Sequence, residues 1–403
     1  MSNINRYLSN ESFSLTDSQT ESLKERKIDI PVVDNTESRE ELIARIETVT
    51  SCIIQQLCSG RLPQMSYSSS HPYTLTGTQQ IMEENDDESQ FPEESNEING
   101  ESYQSDKKTV INFARKRSKD KFALMMTVMA AAHRLLITNT TITRRSLYYD
   151  LKNEKTSNLV PEQRQVDLAV NHVANLLNCA PWELNLLPTS KGLAAGELTL
   201  TLADKRIIDC TAPGGALIPH IASNVISIRT TAKMALVVEK DAVFQKLLEE
   251  DCTSLLNCIL VTGKGYPDVA TRMFVKLLSE KMALPVYAIV DADPFGVDIM
   301  CVYRFGSASL SKEKESLACP NVRWLGIHPS ELVALGVSTV PLTEFDLSKL
   351  IAIKGRPYMN DAFLKELELM RTGKAEIEGL SSFSRRFLSA TYLPCKIKGG
   401  DYI

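Results

Sequence analysis

Asp291 and Asp293 stand two residues apart in Val290-Asp-Ala-Asp-Pro-Phe-Gly, directly after the apolar run Val286–Val290. A short run rich in β-branched residues has the composition of a strand buried on both faces. Side chains at i and i+2 of a strand point the same way. The two carboxylates are therefore expected to project together from the strand's carboxyl end. Paired carboxylates there suit a hard cation such as Mg2+, which takes oxygen ligands and accepts phosphate as a co-ligand. The plain alternative is a solvated Asp-x-Asp turn. Glu239 closes a second apolar run, Ala235–Val238, and can bring a third carboxylate to the same place. Three converging carboxylates repel one another unless a cation or a proton neutralises them. Beside a phosphate ester, such a cation stabilises charge developing on oxygen.

A nucleophile is the other requirement. Tyr148 and Tyr149 follow Arg144 and Arg145 in Thr143-Arg-Arg-Ser-Leu-Tyr-Tyr. A tyrosine oxygen can form a covalent intermediate, and neighbouring guanidinium groups bind phosphate and stabilise a phenolate. The residues alone leave either tyrosine as candidate, and a tyrosine in a basic helix is more often a core aromatic or a phosphate contact than a nucleophile. Thr262-Gly-Lys-Gly is not a phosphate-binding P-loop. Cys258 stands where the first glycine of that frame belongs, and Gly265 where its Ser or Thr belongs. No ATP site is expected in the chain.

The elements that must position these groups follow from periodicity. From about residue 225, apolar runs at Ala235–Val238, Ile259–Val261, Val286–Val290 and Val322–Gly326 alternate with helical segments Asp241–Glu250, Asp268–Lys281 and Val297–Tyr303. This alternation argues an α/β domain with a parallel sheet. Glu239, Gly263 and Asp291 each fall just past a strand end, on one rim, where open α/β sheets gather ligands. An amphipathic helix is expected after Asp293. Upstream, Phe122–Ile137 is helical, Thr138–Ile142 is a short polar break, Thr143 opens a further helix, and Glu162–Leu177 is another. Helix, short turn and helix with basic residues at its start resembles a helix-turn-helix, whose second helix can enter a DNA groove. Leu198–Leu202 and Arg206–Cys210, joined at Ala203-Asp-Lys, predict a hairpin that would serve as the wing of a winged-helix domain. An ordinary helical core is the alternative.

The N-terminal quarter differs in kind. Residues 1–106 hold 7 Lys and Arg against 20 Asp and Glu (net −13), whereas residues 107–403 hold 38 against 30 (net +8). A mildly basic body behind an acidic extension is compatible with a nucleic-acid partner. Residues 1–36 have the polar composition of a disordered segment. Leu42, Ile46, Val49, Ile53, Ile54 and Leu57 recur at helical spacing within Glu37–Leu62, with Ser38 and Glu41 as a capping box and Gly60 and Pro63 as terminators. That amphipathic helix either binds a partner or packs on its own body. Residues 63–106 read as a linker, with ten acids and no Lys or Arg between Glu83 and Asp106, a solvated spacer. Nine cysteines form no Cys-x-x-Cys pair and five histidines show no zinc spacing, the usage of a reduced, intracellular chain. Neither a signal peptide, an apolar run of transmembrane length, nor an internal repeat is evident, and no membrane partner is expected.

Seven segments in order carry a resemblance to a known family. They are Thr143-Arg-Arg-Ser-Leu-Tyr-Tyr, Thr189-Ser-Lys-Gly-Leu-Ala-Ala-Gly, Val238-Glu-Lys-Asp-Ala-Val-Phe, Thr262-Gly-Lys-Gly-Tyr-Pro-Asp-Val-Ala-Thr-Arg, Asp291-Ala-Asp-Pro-Phe-Gly, Ile299-Met-Cys-Val-Tyr-Arg-Phe-Gly-Ser and Arg323-Trp-Leu-Gly. From about residue 107 onward the chain resembles the topoisomerase VI A-subunit family, and Phe305-Gly-Ser resembles its meiotic branch, the double-strand-break transesterases. The tail Gly399-Gly-Asp-Tyr-Ile stands where relatives usually end Gly-Gly-Trp-Ile.

The resemblance implies an N-terminal extension (1–106) with a partner-binding helix (37–62), a winged-helix DNA-binding domain (107–215) and a Toprim domain (225–403). It implies Tyr149 as nucleophile, Tyr148 as supporting aromatic and Arg145 as the active-site arginine. Glu239 and Asp291 would be Mg2+ ligands with Asp293 as third acid, and Arg144, Lys191, Lys264 and Tyr266 would contact DNA. It further implies transesterification of double-stranded DNA through a 5′-phosphotyrosyl link, in a homodimer whose active sites are shared between protomers. An ATP-binding B-type subunit would dock on the N-terminal helix, and the setting would be meiotic chromosomes in the nucleus. Two other functions share these residues in whole or part: a topoisomerase VI A-type protein that relaxes and decatenates DNA, and a non-catalytic DNA-binding scaffold.

Overall fold

The computed structural model describes residues 25–30, 36–69, 107–220, 225–307 and 314–403. The expected acidic spacer between Glu83 and Asp106 lies outside the described residues, as do residues 1–24 of the polar N-terminal stretch. Of the described residues, 36–69 and 107–189 form one compact unit, the first below, and 25–30 with those from 190 onward form the second.

The first unit is built on helices. Lys116–Thr138 buries Met125, Val128, Met129, Ala132 and Leu136, a repeating stripe that meets Val166, Val170, Val173 and Leu177 of Gln163–Leu177. Each such side chain removed from water contributes roughly 1.5–3 kcal/mol. Within Lys116–Thr138, the stretch Ser118–Thr138 is long and apolar enough to cross a membrane by length and composition, contrary to the expectation of no such run. Its apolar stripe is instead the core of this unit.

The N-terminal helix spans Thr36–Cys58. Because it already includes Thr36, Ser38 and Glu41 lie inside it and are not its capping box. Glu41 pairs with Arg45 at 2.6 Å instead. Leu42, Ile46 and Ile53 are buried in the unit's core and Val49 packs against it, whereas Ile54 and Leu57 stay exposed. The expected helix thus packs most of its apolar face on its own unit. Residues 64–69, expected to belong to a linker, are regular structure. Gln64–Ser69 is a strand paired antiparallel with Lys107–Asn112, because Met65, Tyr67 and Ile111 reach the core from it.

The second unit carries the sheet predicted from strand–helix alternation. Its six strands run Val322–Gly326, Val286–Ile289, Met234–Val238, Cys258–Thr262, Leu193–Ala195, Ala216–Leu217. The first four are mutually parallel and the last two antiparallel. All four residues of Val286–Ile289 are buried, as a central strand with both faces covered must be. The chain is therefore a mixed α/β protein.

A second, antiparallel sheet joins Arg26–Asp29, Val225–Thr230, Leu198–Leu202 and Ile207–Asp209. The expected hairpin forms there, among the strands of the second unit. Arg26–Asp29 corrects the expectation of disorder through residue 36. It pairs with Val225–Thr230, and Ile28 and Ile30 pack against the core, so this short stretch buries enough to be ordered.

Candidate active site

The tyrosine helix, Arg144–Leu151, lies in the first unit. It starts where Thr143 accepts a hydrogen bond from the Ser146 N–H at 3.0 Å, an N-cap that satisfies one free backbone donor. Leu147 and Leu151 bury one face. Arg145 and Tyr149, four residues apart, therefore share the other face. The Arg145 Nη2 donates to the Tyr149 hydroxyl at 3.3 Å, and its guanidinium lies 5.8 Å from the centre of the Tyr149 ring. Tyr149 is 59% exposed.

The neighbouring tyrosine differs. Tyr148 packs against the core, lies under the Lys152 ammonium, and sits 3.5 Å from the Pro161 carbonyl. Of the two tyrosines the sequence leaves open, Tyr149 is the more exposed, and it is the one whose hydroxyl accepts from an arginine. Arg144 is turned away. Its half-buried guanidinium pairs with Asp167 at 3.7 Å, and burial pushes its pKa down while Asp167 opposes that.

The acid cluster lies in the second unit. Glu239 follows the strand Met234–Val238, and Asp291 follows Val286–Ile289, so the parallel register brings them to one rim. The Asp291 N–H donates to Glu239 Oε2 at 2.9 Å. The strand ends at Ile289, two residues short of Asp291, so strand alternation is not what aims the carboxylates. Asp291 Oδ1 accepts from the Ile377 N–H at 2.9 Å, and its Oδ2 pairs with the Lys240 ammonium at 2.8 Å. Asp293 caps the following helix, Pro294–Phe305, accepting from the Gly296 N–H at 2.6 Å. That helix is buried from Gly296 through Tyr303 and is not amphipathic.

Burial pushes the Glu239 carboxyl up to about 8, and the Asp291 charge adds to the effect. Burial likewise raises Asp291, against the pull of Lys240, and raises Asp293, against its bond to Gly296. Burial away from water is the main cause of all three shifts, so each carboxyl favours its neutral form in the absence of a neighbouring cation. Carboxylate oxygens are the donors a hard divalent cation takes.

Among the described residues, His328, Glu331 and Asp401 bring ligand atoms within 4.8 Å of one another. The buried Lys396 ammonium already bonds all three, at 3.1 Å to His328, at 2.9 Å to Asp401, and to Glu331. A resident cation fills that cluster.

The remaining predicted residues sit on the same sheet rim. The Lys191 N–H donates to Asp268 at 2.7 Å, and its ammonium reaches the Lys264 carbonyl at 3.2 Å. Lys264 pairs with Asp241 at 3.2 Å. Tyr266 keeps its ring partly exposed while its hydroxyl donates to Asp298 at 2.5 Å. Asp298 also pairs with Lys349 at 2.5 Å and Arg356 at 2.6 Å.

Sequence reasoning missed Lys240, Gly296 and the segment Glu376–Glu378. Lys240 and Gly296 stand inside quoted motifs, beside residues assigned roles. Nothing in the sequence announces Ile377, which a bridge between Ala292 and Ala375 brings beside the acids.

The family of Toprim domains shared by the topoisomerase 6 A-subunit and Spo11 matches residues 234–397, and the family described as "Type IIB DNA topoisomerase" matches residues 120–186. The chain is 41% identical to the human "Meiotic recombination protein SPO11" over 298 residues, 71% of this chain and 74% of that protein. It is 36% identical to the A-subunit of DNA topoisomerase 6 from Arabidopsis thaliana over 74% of this chain and 70% of that one. With the Arabidopsis "Meiotic recombination protein SPO11-1" it shares 32% identity over 89% of this chain and 95% of that protein.

Proposed function

Because the chain belongs to the family that unites Spo11 with the topoisomerase 6 A-subunit, we propose that it is a DNA-cleaving transesterase that makes meiotic double-strand breaks and so initiates recombination. The observation that carries this reading is the Arg145 guanidinium 3.3 Å from the hydroxyl of an exposed Tyr149. The Tyr149 oxygen attacks a DNA phosphorus and gives up its proton. A P–O bond to tyrosine forms as the bond to the 3′ oxygen breaks, and that oxygen leaves as a hydroxyl once protonated. Arg145 holds a phosphate oxygen and favours the phenolate. Tyr148, packed below, fixes the helix that aims its neighbour. Glu239, Asp291 and Asp293 hold the divalent cation that a Toprim domain implies. We take it to be Mg2+, which when bound would stabilise negative charge on the departing oxygen.

The ester energy stays in the phosphotyrosine, so the cut itself consumes no ATP. ATP belongs to a B-type partner docked near the N-terminal helix, for which Ile54 and Leu57 remain exposed. Lys191, Lys264 and Tyr266 are assigned to DNA. Contacts of this kind to phosphate position a duplex without reading its sequence. We place the tyrosine of one protomer against the acids of its partner, in a homodimer acting on chromosomes in the nucleus. The winged-helix role is assigned to residues 107–215, whose helix Arg144–Leu151 carries Tyr149.

Immunoprecipitation from meiotic cells under denaturing conditions, followed by labelling of DNA 3′ hydroxyls, tests the reading. Label should stay with the wild-type chain and disappear with Tyr149→Phe. Label retained by Tyr149→Phe would sink the nucleophile assignment. DNA relaxation with a B-type partner in somatic extracts, without meiotic label, would favour the topoisomerase.

A further inference from the structure

We propose that Lys240 is a positioning residue of the metal site, whose ammonium is shared among Asp291, Glu376 and Glu378 until a divalent cation claims Asp291 and leaves the ammonium on the two glutamates. The proposal rests on reading Glu239, Asp291 and Asp293 as the metal's ligands. Lys240 follows Glu239 directly and stands at the N-cap of the helix Asp241–Glu249. Its Nζ lies 2.8 Å from Asp291 Oδ2, 3.1 Å from Glu378 Oε2 and 3.3 Å from Glu376 Oε2. One ammonium thus bridges a buried acid and two wet ones. The Asp291 side chain is 5% exposed, against 42% for Glu378 and 73% for Glu376.

Two features make this an exchange site rather than a fixed ion pair. The first is that the retreat is built in. Ala292 and Ala375 exchange backbone hydrogen bonds at 2.9 and 3.2 Å, and the Ile377 N–H binds Asp291 Oδ1. The segment bearing the two glutamates is thereby locked beside the acids and waits in place when the lysine moves. The second is charge. A divalent cation on Asp291 and an ammonium in contact with the same carboxylate repel strongly in a partly buried site. A lysine is a compact point charge on a flexible stem, and this one already touches Glu376 and Glu378, so small torsional changes release Asp291 while those two contacts remain. Metal affinity is then set by the difference between the two positions of one lysine.

The test is calorimetric titration of Mg2+ into the purified full-length chain, without DNA, at fixed pH and ionic strength. Lys240→Met keeps the stem and removes the competing charge, and it should tighten Mg2+ binding by about ten-fold. Lys240→Arg keeps a cation and should restore affinity towards wild type. The double variant Glu376→Gln/Glu378→Gln removes the retreat and should weaken binding several-fold, an effect that should vanish in the Lys240→Met background. Both glutamates are solvent-exposed, so that variant keeps the test open should Lys240→Met fold poorly. Unchanged or weaker binding by Lys240→Met would overturn the proposal. So would a glutamate effect that persists without the lysine, which would make the glutamates ligands themselves, and so would absence of binding in both wild type and Lys240→Met. Asp291→Asn separates the two readings. If it abolishes Mg2+ binding while Lys240→Met tightens nothing, the metal site stands and the lysine exchange falls.

Discussion

A methyl group at position 296 would lie 2.9 Å from Glu239 Oε2 and 2.7 Å from the Asp291 carbonyl oxygen. Gly296 therefore sets how closely the helix after Asp293 approaches the two acids. The backbone there is not in the left-handed region, so the constraint is space alone. Gly296→Ala should push Glu239 out of place, weaken Mg2+ binding ten-fold or more, and cost about 2 kcal/mol of stability, the scale of a core substitution that overpacks. Titration of Mg2+ beside urea unfolding reads both, and wild-type affinity in the variant would contradict the geometry. The acids themselves were legible in the sequence, because two apolar runs each end on a carboxylate. Their orientation was not. It comes from Lys240, Ile377 and the Gly296 N–H, and Ile377 stands 86 positions beyond the acid it binds. Local periodicity carries no information about such a contact.

At the scale of elements, the strand Gln64–Ser69 is tied to the helix Gln163–Leu177 by the Tyr67 hydroxyl, 2.6 Å from His172 Nδ1. Burial, helped by the nearby Lys121 charge, lowers the His172 pKa to about 4. Since the folded value lies below the ordinary one, the neutral ring stabilises the fold above about pH 6.5, and that contribution is lost as pH falls towards 4. The loss should reach about 2 kcal/mol by pH 5. Urea unfolding between pH 7.5 and 5 should show this slope in the wild type and a flatter one in His172→Gln. Equal slopes would show that the ring titrates normally. The sequence placed the helices and parallel strands to within a few residues, because apolar spacing and caps are local. It misplaced what long pairing decides. Residues 64–69 looked like spacer because their partner strand lies some forty positions away, across the acidic tract. Arg26–Asp29 looked unstructured because four residues of an edge strand are held by Val225–Thr230 rather than by their own composition.

At the scale of the whole molecule, the two chemical halves belong to different units of the chain: Arg145 and Tyr149 to the first, Glu239, Asp291 and Asp293 to the second. The division of charge points the same way as the function proposed, with an acidic first quarter and a basic remainder that suits a polyanion. The central claim is that these halves form one active centre, each contributed by a different protomer. It is tested most directly by mixing two differently tagged forms of the full chain, Tyr149→Phe and Glu239→Gln, with the ATP-binding partner and a DNA duplex. Each form alone should be silent. A mixed dimer keeps one complete centre, built from the Tyr149 of the Glu239→Gln protomer and the acids of the Tyr149→Phe protomer. It should nick one strand and leave DNA covalently joined to the Glu239→Gln protomer only. DNA joined to the Tyr149→Phe protomer, or mixed dimers as silent as either parent while the wild type cuts both strands, would contradict the account.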